Sequence, residues 1–293
     1  MPELPEVETV RRGLAPVLVG RRVASLDARR PDLRFPFPER FAQRVAGQSI
    51  VGLERRAKYL IASLSSGEDL VMHLGMTGRF TIVHGGIADT PGHYAHGTGP
   101  DPTHDHVVLN LSDGTKVIYN DPRRFGFMVM MAHRERPQHA LFRDLGAEPL
   151  GEELTAEYLA SKALGRKVNL KAFLMDQHVI AGLGNIYVSE ALYQAGLSPD
   201  RAAASLANRR GAPTERAIKL VPAIRDVLER AIDAGGSTLR DYRHADGKRG
   251  SFQERFGVYD RAGSVCQTPG CGGEIRRAVH SGRATFYCPR CQR

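Results

Sequence analysis

The first segment with a regular pattern of apolar positions lies at the start of the chain. Over residues 5–18, apolar side chains recur at intervals of three and four residues, which places them on one face of a helix. Gly20 follows this face and predicts that the helix ends there. The face consists of Val7, Val10, Leu14, Val17 and Leu18.

From about residue 22 to 132 the pattern changes to short runs that are typical of β-strands. The clearest runs are 60–64, 80–83, 107–111 and 116–119. Ser112-Asp113-Gly114, between the last two runs, predicts a hairpin turn. A single helix followed by strands that pair with one another predicts a two-layer β-sandwich.

Helical periodicity returns between residues 151 and 235 and predicts a second, α-helical domain. The fold class is therefore α+β. Residues 84–103, rich in Gly, His, Pro and Asp, are expected to form a long flexible loop. The complete division is a β-sandwich domain over 1–132, a linker over 133–150, a helical domain over 151–235, a mobile region over 236–260 and a C-terminal segment over 261–293.

The composition is that of an ordinary soluble protein. Of the 293 residues, 42% are hydrophobic and 25% are charged, which is enough apolar material for a core. No apolar run approaches the length of about 18 residues that a transmembrane helix needs. The chain opens Met-Pro-Glu-Leu-Pro-Glu, with acidic residues where a signal peptide needs basic and apolar ones. We therefore expect a cytoplasmic protein with no membrane partner.

The charge balance indicates a polyanionic partner. The formal net charge is +9, and 34 of the 41 basic residues are Arg. The planar guanidinium fork of Arg suits phosphate groups, so nucleic acid is the first candidate. A genome that favours Arg codons would explain part of the same bias.

The four cysteines have the spacing of a metal site. Cys266 and Cys271 form a C-x4-C pair, and Cys288 and Cys291 form a C-x2-C pair after sixteen intervening residues. Two close pairs separated by a hairpin-length segment fit tetrahedral zinc. Disulfides are the alternative, and a cytosolic setting disfavours them. Four thiolates leave no open coordination position, so the zinc would be structural.

The N-terminus carries candidate chemistry. Removal of Met1 would leave Pro2 with a free secondary amine, which is a much stronger nucleophile at neutral pH than a Lys side chain. Its attack on a sugar C1′ atom gives an iminium cation, an electron sink. Glu3 and Glu6 lie beside it in the first helical turn. Plain helix capping by Pro and acidic residues is the alternative interpretation.

Six segments resemble bacterial formamidopyrimidine-DNA glycosylases. They occur in the order of that family along the whole chain. The segments are residues 2–9 (PELPEVET), 56–60 (RAKYL), 73–76 (HLGM), 121–126 (DPRRFG), 182–187 (GLGNIY) and 283–288 (RATFYC). The endonuclease VIII branch of the same superfamily begins similarly but lacks Leu4 in this context.

The resemblance implies four catalytic residues. Pro2 would be the nucleophile that forms a Schiff base with C1′ of the damaged nucleotide. Glu3 would be the acid that protonates the sugar ring oxygen and later shuttles protons. Lys58 would contact phosphate and assist β-elimination, although a plain surface lysine is the alternative. Arg283 would contact phosphate and assist δ-elimination.

The resemblance also implies residues that contact DNA. Met76, Arg123 and Phe125 match the family residues that fill the void left by an extruded base. Core packing is the alternative for Met76 and Phe125, but neighbouring glycines suggest exposed loops.

Further matches lie near the DNA backbone in the family: His104, Arg166, Lys171 and Asn185. Asn185 follows Gly-Leu-Gly and is a candidate N-cap of a helix in the helix–two-turn–helix motif. His104 and His106 could instead bind a metal, although two histidines one residue apart at the start of a strand are more often structural.

The expected function is that of a monomeric base-excision repair enzyme with one structural Zn²⁺. It would act on double-stranded DNA, release 8-oxoguanine opposite cytosine and formamidopyrimidines, and nick the strand by β,δ-elimination. An endonuclease VIII-like glycosylase for oxidised pyrimidines and a non-enzymatic zinc-ribbon regulator are the alternatives. The C-x4-C knuckle departs from the usual C-x2-C, and the 84–103 loop is longer than usual.

Overall fold

The computed structural model describes residues 2–92, 101–237 and 252–293. The chain divides into two compact units. The N-terminal unit comprises Met1–Arg143 and Ile232–Ser251, and the C-terminal unit comprises Asp144–Ala231 and Phe252–Arg293. No helix in the described ranges has the length and apolar character needed to cross a membrane.

The N-terminal unit consists of one long helix, one short helix and nine strands within the described ranges. The elements are α1 (Leu4–Leu18), β1 (Val23–Ala28), α2 (Phe41–Val45), β2 (Ile50–Arg56), β3 (Tyr59–Leu64), β4 (Glu68–His73), β5 (Arg79–His84), β6 (Ile87–Asp89), β7 (Asp105–Leu111), β8 (Lys116–Asn120) and β9 (Phe127–Ala132).

The strands form two antiparallel sheets, in the orders β1-β7-β8-β5-β6 and β2-β3-β4-β9. One cluster of buried apolar residues draws members from α1 and from both sheets. This arrangement confirms the two-layer sandwich. Helix α1 begins one residue before the predicted segment, and the hairpin turn before β8 contains Gly114 at a φ of 85°.

The C-terminal unit is helical and ends in a hairpin. Its elements are α3 (Ala156–Ala163), α4 (Leu170–Met175), α5 (Asn185–Gln194), β10 (Arg276–His280) and β11 (Arg283–Tyr287), and helix α6 (Glu215–Asp233) begins within it. Thr155 and Asn169 cap α3 and α4 by accepting hydrogen bonds from backbone N–H groups three residues later.

Two segments differ from the loops that the sequence predicts. The segment 84–103 contains strand β6, which pairs with β5, and a 3₁₀ helix at Pro102–His104; residues 93–100 lie outside the described ranges. Of the predicted mobile region 236–260, residues 238–251 also lie outside the described ranges, so that prediction is not tested there. Residues 252–255 form a 3₁₀ helix in which Phe252 is buried, because its ring packs on Tyr187.

Candidate active site and metal centre

The start of α1 is buried. Pro2 and Glu3 are both buried, and Glu3 is only 3% exposed. The backbone N–H of Glu3 donates to the Glu6 carboxylate at 2.8 Å, which closes the first turn of the helix. The two residues with predicted chemistry are therefore held on a fixed backbone.

Glu6 also bonds to a distant part of the same unit. Its second carboxylate oxygen accepts hydrogen bonds from the backbone N–H of Ser237 at 2.8 Å and from the Ser237 hydroxyl at 3.0 Å. Ser237 directly precedes residues 238–251. Glu6 thus joins the start of α1 to the base of that segment, a role that the sequence analysis missed. The acid three residues after Glu3 was the available signal.

Lys58 lies in the tight turn between β2 and β3. The strand residues Arg56 and Tyr59 pair directly, so Ala57 and Lys58 form the whole turn. Ala57 has a φ of 54°, a left-handed conformation that costs a residue other than glycine roughly 1–3 kcal/mol. The sheet register therefore fixes the position of the half-buried Lys58.

His73 is a candidate site residue that the sequence analysis quoted only as part of a motif. Its ring stacks on Phe127 with centroids 5.1 Å apart, and its Nδ1 accepts the backbone N–H of Gly75 at 3.0 Å. Burial, together with the charges of Lys58 and Arg34, lowers the pKa of His73 to about 4. The imidazole is therefore neutral at neutral pH, with its proton on Nε2 as a hydrogen-bond donor.

The loop that carries Met76 packs against the loop that carries Phe125. A Cβ atom on Gly75 would lie 2.4 Å from the backbone carbon of Phe125, so only glycine permits this approach. Gly75 also has a φ of 62°. The half-buried Met76 and the exposed Phe125 therefore belong to adjoining loops.

The fully buried Asp121 joins these two loops. Its carboxylate accepts hydrogen bonds from the hydroxyl of Thr77 and from the backbone N–H of Gly126. The backbone N–H of Arg123 in turn donates to Thr77 at 3.2 Å. Asp121 lies in one of the six segments that resemble the family, but the sequence alone indicated no role for it.

Arg123 and Phe125 lie together at the exposed end of the loop that carries Phe125. The Arg123 guanidinium carbon lies 4.7 Å from the centroid of the Phe125 ring, and Phe125 is 44% exposed. The structure confirms that Phe125 lies on an exposed loop and not in the core.

His104 and His106 face different surroundings. His104 is half-buried, and its Nε2 lies 3.9 Å from an Asp101 carboxylate oxygen. His106 is buried, and its Nε2 bonds to the backbone carbonyl oxygen of Asp121 at 2.9 Å. Neither belongs to a cluster of potential metal ligands in the described part of the chain, so His106 is structural and the metal alternative is not supported.

Lys171 is not on the surface. It is fully buried in α4, and its ammonium group donates to the carbonyl oxygen of Ala284 at 2.8 Å and to the hydroxyl of Thr285 at 2.6 Å. Both acceptors lie on β11, directly after Arg283. The expectation that Lys171 contacts the DNA backbone is therefore not met here, because its ammonium group holds this strand in place.

Helix α5 begins at Asn185, but Asn185 is not its N-cap. Gly184 takes the capping position in an extended conformation, and Asn185 is the first helical residue. The Asn185 side-chain amide donates to the Tyr259 hydroxyl at 3.4 Å. Glycine accepts the capping conformation without a side-chain bond, and this corrects the predicted role. Arg166 is exposed, as a contact with a ligand requires.

Glu190 holds the segment that follows residue 252. This buried carboxylate on α5 accepts hydrogen bonds from three successive backbone N–H groups, those of residues 257–259, at 2.8 to 3.0 Å. Burial raises the pKa of Glu190, and these hydrogen bonds act in the opposite direction. An acidic residue among the buried apolar positions of α5 was the sequence signal for this role.

Arg283 stands at the tip of the C-terminal hairpin. The strands β10 and β11 pair His280 with Arg283, so Ser281 and Gly282 form a two-residue turn. Both turn residues have positive φ, 49° and 72°, as in a type I′ hairpin. The turn leaves the Arg283 side chain exposed.

The four cysteine sulfurs lie together. The Sγ atoms of Cys266 and Cys291 are 3.7 Å apart, and those of Cys271 and Cys288 are 3.6 Å apart. A disulfide needs about 2.05 Å, so these pairs are not disulfides. Four thiolates about 2.3 Å from one zinc ion lie about 3.8 Å from each other, which agrees with these distances. The residues therefore fit one tetrahedral zinc.

Comparison with known proteins agrees with this geometry. Three family models match successive parts of the chain. They are the formamidopyrimidine-DNA glycosylase N-terminal domain over residues 1–128, the formamidopyrimidine-DNA glycosylase H2TH domain over 145–243, and the zinc finger found in FPG and IleRS over 263–293.

Formamidopyrimidine-DNA glycosylases of two bacteria match along their whole length. The protein from Bradyrhizobium sp. (strain BTAi1) is 55% identical over 293 residues, and the protein from Methylocella silvestris is 56% identical over 294 residues. Each comparison covers 100% of both chains. The chain belongs to the formamidopyrimidine-DNA glycosylase family. The general function of the chain is therefore that of a DNA glycosylase with AP lyase activity. This excludes the alternative that the chain is a non-enzymatic zinc-ribbon regulator.

Solved structures of this family have the same fold. The Lactococcus lactis Fpg in complex with DNA containing an abasic site has a TM-score of 0.83 at 31% identity. A mutant of the same protein, in complex with DNA containing Fapy-dG, also has a TM-score of 0.83, at 32% identity. Both comparisons cover 100% of each chain. The family's zinc-finger model and the cysteine geometry together give one structural Zn²⁺ as the cofactor.

Proposed function

We propose that this member of the formamidopyrimidine-DNA glycosylase family excises 8-oxoguanine opposite cytosine and formamidopyrimidines through the N-terminal amine of Pro2. The amine nitrogen attacks C1′ of the damaged nucleotide and loses its proton, and the bond between C1′ and the base breaks as the base leaves with a proton. The C1′–O4′ bond of the sugar ring then breaks, and the nitrogen forms an iminium with C1′. The resulting iminium draws electrons from C2′, which loses a proton as the 3′ phosphate leaves. Elimination of the 5′ phosphate follows and leaves a one-nucleotide gap.

Glu3 supplies the proton chemistry in this proposal. As a carboxylic acid it protonates the sugar ring oxygen, which opens the ring, and as a carboxylate it accepts a proton in the elimination steps. Its burial beside Pro2 at the start of α1 supports the assignment, because a fixed donor needs no rearrangement during the reaction.

Phosphate contacts orient the sugar. We assign these contacts to Lys58, His104, Arg166, Asn185 and Arg283, none of which is buried. The neutral His73, in the same unit as Lys58, offers an Nε2–H group that could donate a further hydrogen bond to a phosphate. We assign Lys171 to positioning β11 instead of to DNA contact.

Met76, Arg123 and Phe125 fill the space that the extruded base leaves in the duplex. An apolar side chain that enters a base step recovers part of the missing stacking, and a guanidinium can hydrogen-bond to the unpaired cytosine. The observation that carries this proposal is the packing of the two loops, which Gly75 and Asp121 hold together.

Trapping on a damaged duplex tests the function. With borohydride present, a duplex containing 8-oxoguanine opposite cytosine should give a covalent complex with the protein. Without borohydride it should give two fragments that end in phosphates. A thymine glycol duplex is the comparison, and we expect cleavage of it to be at least about tenfold slower, equal to about 1.4 kcal/mol. Faster cleavage of thymine glycol would instead support the endonuclease VIII-like alternative.

Arg123 is expected to set the opposite-base preference. Arg123→Ala should reduce the difference between cleavage of 8-oxoguanine opposite cytosine and opposite adenine by roughly 1–3 kcal/mol, because cytosine and adenine present different hydrogen-bonding edges. Single-turnover cleavage of both duplexes measures this difference.

Arg124→Ala is the matched control for Arg123. Arg124 is adjacent, carries the same charge and pairs with Asp32 at 3.5 Å, so its removal should leave the ratio between the two duplexes unchanged. Arg123→Lys keeps the charge but removes the fork, and it should behave like Arg123→Ala. An unchanged ratio in Arg123→Ala would assign this residue to the loop structure alone.

The cellular location and the domain boundaries are also proposed. We place the enzyme in the cytoplasm, at the nucleoid, because its substrate is DNA. The division into 1–132, 133–150, 151–235, 236–260 and 261–293 stays a prediction.

A further inference from the structure

Two hydroxyl groups contact the cysteine cluster from outside. The Tyr193 hydroxyl, on the last turn of α5, lies 3.4 Å from the Cys266 sulfur and 2.9 Å from the Thr268 hydroxyl. The Thr268 hydroxyl lies 3.7 Å from the Cys291 sulfur. The hydroxyls therefore bridge the sulfurs of two different cysteine pairs.

The longer first knuckle places Thr268 at this position. The backbone N–H of Cys271 donates to the carbonyl oxygen of Thr268 at 3.0 Å, and Gly270 between them has a φ of 72°. Pro269 followed by a glycine with positive φ is typical of a type II turn. Pro269 and Gly270 thus absorb the additional length of the C-x4-C pair, and Thr268 remains beside the sulfurs.

The Tyr193 ring is held in place by close packing. A Cβ atom on Gly257 would lie 2.3 Å from a carbon of this ring, so the ring occupies the space that a side chain would need. The backbone N–H of Gly257 also donates to the Glu190 carboxylate at 2.8 Å, which fixes the backbone against which the Tyr193 ring packs. The position of the phenol oxygen is therefore set by the surrounding backbone.

The two hydroxyls share two protons among three contacts. If Tyr193 donates to Cys266, Thr268 can donate to the Tyr193 oxygen. If Tyr193 donates to Thr268, Thr268 can donate to Cys291. Because thiolates are acceptors only, each of these two arrangements delivers one O–H hydrogen bond to the cluster and supports it with a second. A third arrangement, in which both hydroxyls donate to sulfur, delivers two.

We propose that Tyr193 and Thr268 form an outer shell of the zinc site, which slows metal loss and protects the cysteine sulfurs from electrophiles. Four thiolates around Zn²⁺ carry a net charge of −2, and a hydrogen bond to one sulfur withdraws part of this charge. A less charged sulfur is a weaker nucleophile. Removal of such outer partners commonly lowers metal affinity by about 10- to 100-fold.

Zinc transfer to a competing chelator tests the proposal on the full zinc-loaded chain. Tyr193→Phe keeps the ring and removes the hydroxyl, and Thr268→Val keeps the shape and removes the hydroxyl. Each should accelerate zinc release and alkylation of the cysteines by about tenfold. In the double variant, the acceleration of zinc release should be well below the product of the two single accelerations, because the hydroxyls act through one another.

Two controls separate this role from general damage to the hairpin. Tyr287→Phe removes a phenol on β11 that makes no hydrogen bond to a cysteine sulfur within the described residues, and it should release zinc at the parent rate. Thr268→Ser keeps the hydroxyl that Thr268→Val removes, and it should release zinc as slowly as the parent. Zinc-loaded Tyr193→Phe should bind DNA within about twofold of the parent.

Three results would overturn the proposal. The first is an unchanged release rate in both Tyr193→Phe and Thr268→Val. The second is equal acceleration in Tyr287→Phe. The third is failure of Thr268→Ser to restore slow release, which would mean that the knuckle backbone and not the hydroxyl retains the metal.

Discussion

One residue added before Pro2 is expected to abolish covalent trapping and strand cleavage while DNA binding persists. The extension converts the secondary amine into an amide, whose nitrogen is not nucleophilic. Cleavage should fall on the order of 10⁴-fold or more, the reduction typical of removing a covalent nucleophile. Borohydride trapping on an 8-oxoguanine duplex measures the first effect, and equilibrium binding to a duplex with an uncleavable abasic-site analogue measures the second.

The matched control is the same preparation after proteolysis has removed the extension and left Pro2 first, which should restore both activities. Pro2→Gly keeps an amine but makes it primary, so its adduct must gain a proton to become an electron sink. This variant should bind DNA and lose most of its turnover. Lys58→Ala should still trap. A trapped complex with the extended protein, together with none for Lys58→Ala, would move the nucleophile to Lys58.

Removal of one cysteine ligand should unfold the C-terminal hairpin and weaken DNA binding by about 100-fold. Cys291→Ser leaves three thiolates, and a segment this short depends on metal binding for its fold. Arg283 and its neighbouring arginines would then no longer be held in fixed positions. For every phosphate that the protein no longer neutralises, the slope of log affinity against log salt should become shallower by about 0.9.

Cys291→His is the matched variant, because histidine is also a zinc ligand and position 291 is only half-buried. It should keep zinc and most of the affinity. Zinc content, limited proteolysis of residues 261–293 and the salt slope measure the outcome. Parent-like DNA binding by zinc-free Cys291→Ser would show that the hairpin does not need the metal.

Several contacts of the site depend on pairs of residues that are distant in sequence. The ammonium of Lys171 and the carbonyl oxygen of Ala284 are separated by 113 positions, and Glu6 and Ser237 by 231. Neither pair leaves a periodic or compositional trace. From the sequence, a lysine that matches a DNA-contact position is expected to be exposed. Only the packing of α4 against β11 shows that Lys171 is buried.

What the sequence alone determined rests on local patterns. Helical spacing indicated α1, short β-rich runs indicated strands of the sandwich, and two close cysteine pairs indicated zinc. Their physical basis lies within a few residues: side-chain period, turn geometry and ligand chemistry.

Only the tertiary structure decided how polar groups are distributed among partners. It gave the capping position of α5 to Gly184, buried Asp121 where it joins two loops, made His73 neutral, and set Thr268 beside Tyr193. These outcomes depend on desolvation and on hydrogen bonds between elements, and a buried polar group takes whichever partner the fold brings within about 3 Å.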